Sequence, residues 1–230
     1  MRIALIGYDG FVGRALYKKI LNNKFDVIGV NRSNYDGFKE YVFDIIINAA
    51  MPSKRFWALN NPFDDFDATV RLTADLIYNW KYKKFVQIST VSARCQLDHP
   101  YGINKACAEN LVLNKSKKNL IIRLGALFGK GLDKGVIFDM KKGNKIFVSR
   151  DSRYNYISTD KAAEIIIQKL DESGILEIGA KDQISLKEIA NYFKWNIDFG
   201  NKFESQHTEN PDENYPKARK VLKFMKDQNE

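Results

Sequence analysis

Cysteine is scarce. The 230-residue sequence has only Cys95 and Cys107, too few for a disulfide framework and without metal-site spacing. The simplest reading is two reduced thiols in a cytoplasmic protein, with no metal site. Long hydrophobic runs are missing too. No stretch approaches the roughly 18 apolar residues of a membrane span, and the opening run "MRIALIGYDG" meets glycine too early for a signal peptide. No membrane partner is therefore expected. There is no internal repeat and no low-complexity linker. Acidic residues are outnumbered, giving a formal net charge of +9. The basic residues are scattered ("NWKYKK", "NKSKKN", "MKKGNK") and not gathered on one periodic element, which argues against nucleic acid as the partner. An anionic small molecule or a lysine-rich surface would account for the charge equally well.

What is present is a core-forming sequence, with 44% hydrophobic and 13% aromatic residues, enough to exclude a disordered chain. Short apolar runs at 2–7, 25–31, 43–50, 84–90 and 119–125 read as strands. Helical periodicity separates them at 11–23, 61–80 and 101–115. Strands apolar on both faces and alternating with helices predict an α/β fold, a parallel sheet covered by helices. Beyond about residue 126 the pattern loosens: helices are expected at 135–143, 158–171, 185–193 and 217–225, and strands at 144–149 and 174–180. This predicts a main domain over 1–127, with 154–171 returning to it. Residues 128–153 and 172–230 would then form a small C-terminal lobe.

The first strand-to-helix turn reads "GYDGFVG", with Gly7, Gly10 and Gly13. Glycines here allow a tight turn, close approach of the backbone to a pyrophosphate, and a helix N-terminus facing its charge. A glycine triplet alone is weak evidence, but its place after the first strand makes it strong. The second strand ends in Asn31-Arg32, where an acidic residue would favour NAD. Arginine pairs with a 2′-phosphate, so NADP(H) is the expected cofactor, with NAD(H) possible. Arg14 could add to that field, and a solvated loop arginine is the plainer account of Arg32.

The stretch "HPYGINKAC" sets Tyr101 and Lys105 four residues apart, on one helix face. Together with the motifs above, it makes the chain resemble the extended short-chain dehydrogenase/reductases, the NAD(P)-dependent sugar-nucleotide epimerase/dehydratase/reductase group. The segments "GYDGFVG", "DIIINAA", "FVQIST", "YGINK", "RLGALFGKG", "RYNYISTDKAAE", "GILEIGA" and "KARKVL" follow the family's order over nearly the whole chain. The resemblance implies a Rossmann-like sheet, a small substrate-binding lobe and a homodimer formed through helices 61–80 and 101–115. It implies that Gly7, Gly10, Phe11, Val12, Gly13, Asn31, Arg32, Asn48, Ala49, Ala50, Tyr101 and Lys105 hold the cofactor. Tyr101 would move the proton at the substrate oxygen, with its ionisation assisted by Lys105. Lys105 would also hold the nicotinamide ribose, and Thr90 would hydrogen-bond the reacting oxygen. Ser89 and Ser92 are weaker candidates for that bond. Ser92 and Arg153 would contact a nucleotide-sugar substrate, the arginine at its diphosphate. A surface arginine accounts for Arg153 equally well.

The departures from the family narrow the chemistry. Val91-Ser92 stands where sugar dehydratases carry Asp-Glu, and Ser92 where epimerases acting beside the ketone carry cysteine. Ala126 replaces a frequent substrate-side asparagine, and Asp67 stands where a structural asparagine often lies on the long helix. The element between the second and third strands is shortened. What remains is reduction of a keto group, C4, of a nucleotide-activated sugar. A 4-epimerase with tightly bound NAD is the alternative, and a non-catalytic NADP-binding protein a third reading.

Overall fold

The structure, a computed structural model, describes residues 1–116 and 118–227. The chain divides into two compact units, Met1–Arg123 with Ala163–Leu176, and Leu124–Ala162 with Glu177–Glu230. The expected return segment, 154–171, is thus divided between the units after Ala162.

The first unit is built on strands β1 (Arg2–Ile6), β2 (Asp26–Val30), β3 (Val42–Asn48), β4 (Lys81–Thr90) and β5 (Asn119–Leu124). With the strand Gly174–Ile178 they form a six-stranded sheet, ordered 174–178, β5, β4, β3, β1, β2. The β2–β1, β1–β3 and β3–β4 pairs are parallel. Ile3, Ala4, Leu5 and Ile6 of β1 are all buried, as are Ile45, Ile46 and Ile47 of β3. Apolar residues on both strand faces require cover on both sides, which parallel crossovers supply.

Chain order reverses direction between β1 and β3, since β2 lies on one side of β1 and β3 on the other. Such a switch point opens a crevice beyond the carboxyl ends of the strands. Gly7 and Ala49-Ala50 stand at those ends, so the sequence places its glycine turn at the one position where this topology leaves room.

The helices are α1 (Phe11–Asn22), α2 (Arg55–Asn60), α3 (Pro62–Phe66), α4 (Leu72–Asn79), α5 (Ser92–Cys95) and α6 (Pro100–Lys115). The helix expected over 61–80 is one continuous run broken in character: residues Asp67–Arg71 between α3 and α4 form a π turn. Pro62 occupies its first turn, where a missing N–H costs nothing. The connection from β2 to β3 holds only a single 3₁₀ turn, Tyr35–Phe38, in line with the expected shortening. It is pinned by Tyr35, whose hydroxyl donates to Asp75 at 2.6 Å and whose ring lies 5.1 Å from that of Trp80.

The second unit has its own core, with Phe128, Ile137, Met140, Tyr154, Leu186 and Leu222 among its buried side chains. Short strand pairs replace a large sheet: Arg153–Tyr154 pairs with Ile184–Ser185 and with Ser205–Gln206. Ser185 opens the helix Leu186–Phe193 with a capping box, its hydroxyl accepting from the Glu188 N–H and the Glu188 carboxylate from the Ser185 N–H. Among the described residues no helix is long and apolar enough to cross a membrane, and no cluster of metal-ligating side chains occurs.

Candidate active site

The turn after β1 is shaped by glycine geometry. Gly7 has φ +78°, and a Cβ there would stand 2.6 Å from the Ala50 Cα. A Cβ on Gly13 would stand 1.9 Å from the Gly7 carbonyl oxygen. Both contacts lie far below van der Waals separation: a larger residue at Gly7 would drive into the Ala49-Ala50 backbone, and one at Gly13 would push α1 away from the turn. Gly10 caps α1 and offers no side-chain acceptor. The first N–H groups of α1, at Phe11, Val12 and Gly13, therefore lack a capping side chain, and with the helix dipole they suit an anion. On this observation a dinucleotide pyrophosphate fits the turn.

At the end of β2, the Asn31 side chain donates to Asp9 at 3.1 Å and accepts from the Ser33 hydroxyl at 2.7 Å. Arg32 is exposed and makes no ion pair among the described residues. Asn48 turns inward: its amide donates to Thr73 and Gln87 and accepts from the Ala50 N–H. It is fully buried, so it shapes the floor under Ala49 and Ala50 and its amide is not free for a ligand.

Thr90 ends β4, and α6 begins ten residues later. His99 caps α6 by accepting from the Tyr101 N–H at 3.2 Å, with Pro100 in the first turn. Tyr101, Lys105 and Glu109 then recur every four residues on one face, all buried. The Lys105 ammonium lies 4.9 Å from the centre of the Tyr101 ring and donates to the Thr69 hydroxyl at 3.1 Å. Thr73 donates to the Thr69 carbonyl at 2.7 Å. A buried polar chain thus runs from Gln87 through Asn48, Thr73 and Thr69 to Lys105.

Burial dominates the electrostatics. It pushes the Tyr101 phenol up to about 12, against the opposing effects of Arg55 and the Thr90 hydroxyl and with a contribution from Asp65. It pushes the Lys105 ammonium down to about 7, partly countered by Asp65. The chain alone therefore favours a neutral phenol. Thr90, Tyr101 and Lys105 lie together, the Thr90 hydroxyl acting on the Tyr101 phenol and the Lys105 ammonium standing over its ring. Ser89 points elsewhere, donating to Glu109 at 2.5 Å. Ser92 is buried beside Thr90, its N–H donating to the Thr90 hydroxyl at 3.2 Å. Arg153 is an exposed residue of the second unit, and its charge helps hold the Glu188 carboxyl below the usual range, behind the bonds from Ser185.

Two residues escaped the sequence reading. Arg55, on α2, donates to Gln96 at 3.1 Å and acts on the Tyr101 phenol. Asp65 is fully buried and accepts from Asn104 at 2.8 Å. The acid singled out from the sequence, Asp67, is instead solvent-facing and pairs with Arg71 at 3.3 Å. The available signal was the stripe Asp65, Thr69, Thr73, polar residues four apart on a helix that packs against α6.

The sequence profile of the NAD dependent epimerase/dehydratase family matches residues 3–179. No curated protein is a significant sequence match. Among solved structures, the fold is similar to a UDP-glucose 4-epimerase from Thermotoga maritima determined with UDP-glucose, with TM-score 0.78, 15% identity and all of each chain covered. It is equally similar to a dTDP-4-dehydrorhamnose reductase from Clostridium acetobutylicum, with TM-score 0.78, 17% identity and all of each chain covered. The counterpart reductase from Bacillus anthracis, in complex with NADP, matches with TM-score 0.75 and 17% identity over 99% of this chain and 98% of that one.

Proposed function

The chain belongs to the NAD dependent epimerase/dehydratase family, and we propose that within this family of enzymes it is an NADP(H)-dependent oxidoreductase reducing a keto group, C4, of a nucleotide-activated sugar. The observation that carries this reading is the set of partly buried Thr90 with buried Tyr101 and Lys105, in which burial favours the neutral Tyr101 phenol. A neutral phenol is the form that gives a proton to a carbonyl becoming an alcohol.

The residues divide the work. Gly7, Gly10, Phe11, Val12 and Gly13 receive the pyrophosphate through backbone N–H groups. Arg32, exposed and without an ion pair among the described residues, meets the 2′-phosphate. Ala49 and Ala50 pack against Gly7, over the floor made by Asn48, and line the cofactor's side of the turn. A bound NADPH supplies the hydride. Thr90 and Tyr101 hold the substrate oxygen, Tyr101 releases its proton to it, and Lys105 fixes the ribose. Ser92 supports Thr90 through its N–H, and Arg153 binds the diphosphate of the sugar nucleotide. Solved relatives of this fold were determined with UDP-glucose or with NADP, which supports the substrate and cofactor classes.

We also propose a cytoplasmic homodimer. Phe63, 86% exposed, shares the helices Pro62–Asn79 and α6 with exposed Phe66, Tyr78 and Ile103, an apolar surface of the kind that marks protein contacts. A monomer by light scattering would refute this part.

The direct test is Tyr101→Phe. The variant should keep its fold and cofactor affinity while NADPH consumption with 4-keto-6-deoxy nucleotide sugars falls about 10²–10⁴-fold. Near-wild-type turnover on an accepted substrate would refute the assignment.

A further inference from the structure

Asp65 is the buried group that the proposed chemistry does not yet use. Its side chain is fully buried. One carboxylate oxygen accepts from Asn104 at 2.8 Å. The other, also buried, has no hydrogen-bond partner. A desolvated carboxylate oxygen left unpaired is costly, and such a group persists where its charge serves a neighbour. The neighbours here are specific. Asp65 and Thr69 stand four residues apart on the helix that runs through the π turn. Their partners on α6 are adjacent residues, Asn104 for Asp65 and Lys105 for Thr69. The same helix thus grips α6 twice, with the carboxylate set one turn from the hydroxyl that receives the lysine.

We infer that Asp65 is a positioning residue of the Tyr101–Lys105 pair, whose buried charge favours the protonated form of both and makes the site a proton donor to a carbonyl in preference to a base toward an alcohol. This rests on the reading of Tyr101 as the proton donor. The charged and titratable groups around the pair give the balance. Arg55 on α2 favours the phenolate, and Asp65 on α3 opposes it. Asp65 also favours the charged form of Lys105. Glu109, the next group on the α6 face, is neutralised by Arg123 at 2.6 Å. His99 is held in the α6 cap. On the π turn, Asp67 and Arg71 pair with each other on the exposed side. Asp65 is therefore the only uncompensated negative charge on the pair among the described residues.

The consequence for the reaction is directional. In reduction, with a bound NADPH supplying hydride to the carbonyl carbon, the Tyr101 O–H bond would break and its proton would form the new O–H bond of the product. The phenolate left behind faces Asp65, which drives it to recover a proton from solvent. In the reverse direction the phenolate must exist first, and the same charge disfavours it. A 4-epimerase, which oxidises before it reduces, needs the form that Asp65 suppresses.

The test is a titration of tyrosinate absorbance on the ligand-free protein, with circular dichroism marking the pH range over which the fold holds. Subtracting Tyr101→Phe from each parent isolates Tyr101. In the wild type, Tyr101 should contribute no ionisation in the ordinary tyrosine range. In Asp65→Asn it should ionise at a lower pH than in wild type, and Asp65→Glu, which keeps the charge, should restore wild-type behaviour. Asp65→Ser replaces Asp65→Asn should the amide fail to fold. An unchanged Tyr101 titration in the folded neutral variant overturns the inference. So does a wild-type Tyr101 that already ionises below the ordinary range. Because no substrate is involved, loss of turnover in Tyr101→Phe beside an unmoved titration would refute the role of Asp65 and leave the catalytic reading intact.

Discussion

Glu109 and Asp65 are both carboxylates buried in the first unit, and their surroundings are opposite. Glu109 takes both its oxygens to Arg123, with Nε at 3.1 Å from each and Nη2 at 2.6 Å from one, and also accepts from Ser89 at 2.5 Å. Asp65 has one amide donor and one empty oxygen. The first arrangement is a closed ion pair that locks α6 onto β4 and β5. The second leaves a charge acting on whatever lies nearby, and what lies nearby is the Tyr101–Lys105 pair. Two acids of equal burial thus separate into a structural group and a functional one by the number of donors around each.

Breaking a closed, buried ion pair gives the largest effect expected here. Glu109→Ala takes the carboxylate away from the Arg123 guanidinium, of whose side chain 15% is exposed, and should cost about 3–5 kcal/mol in urea denaturation. Asp65→Asn should change stability by only about 1 kcal/mol, because the amide keeps an acceptor for Asn104 and removes a desolvated charge. Similar losses in the two variants would erase the distinction, and a large loss in Asp65→Asn alone would reverse it.

The sequence made some of this arrangement legible and hid the rest, for reasons that lie in particular residues. The glycine turn was legible because steric demand at Gly7 and Gly13 falls on backbone atoms, where only glycine fits. Tyr101 and Lys105 were legible because a regular helix puts residues four apart on one face. Asp65 was not, because the π turn at Asp67–Arg71 inserts a residue into the helical phase. Counting back from the buried Thr73, Leu76 and Ile77 with a constant α-helical period centres the buried face on Phe66, which is exposed, and the inserted residue moves it to Asp65. Arg55 was hidden differently, since α2 is a short helix, Arg55–Asn60, with no apolar period long enough to read. In the second unit, two-residue strands such as Arg153–Tyr154 and Ile184–Ser185 leave no alternation to detect.

Lys105 extends the comparison from one acid to the base it serves. Burial holds its folded value at about 7, while the unfolded chain keeps the ordinary 10.5. Between those values the unfolded state binds more protons, so stability should rise with pH across that window and flatten below it. The accumulated effect is on the order of 3–5 kcal/mol. Lys105→Met should abolish this slope in ligand-free protein, read as chemical denaturation midpoints at several pH values. Asp65→Asn should extend the rise to lower pH, because Lys105 then loses the charge that favours its ammonium form. A wild-type stability profile that is flat over this range would show that Lys105 is better solvated than its burial implies.

The smallest effect concerns a third acid, this one exposed. Asp9 lies in the glycine turn and accepts from Asn31 at 3.1 Å, next in sequence to Arg32, the residue assigned to the 2′-phosphate. In contrast to Asp65, its charge is screened by solvent, and exposed pairs contribute little. It nevertheless opposes a phosphate that Arg32 attracts. In fluorescence titrations the wild type should bind NADPH more tightly than NADH, and Arg32→Ala should lose that preference. Asp9→Asn should tighten NADPH by roughly two- to fivefold, and less as salt is raised, with NADH unchanged because it carries no 2′-phosphate. Equal wild-type affinities for the two cofactors would remove NADP(H) as the preferred one. Equal tightening of both by Asp9→Asn would show that Asp9 acts on the pyrophosphate shared by the two cofactors and not on the 2′-phosphate that separates them.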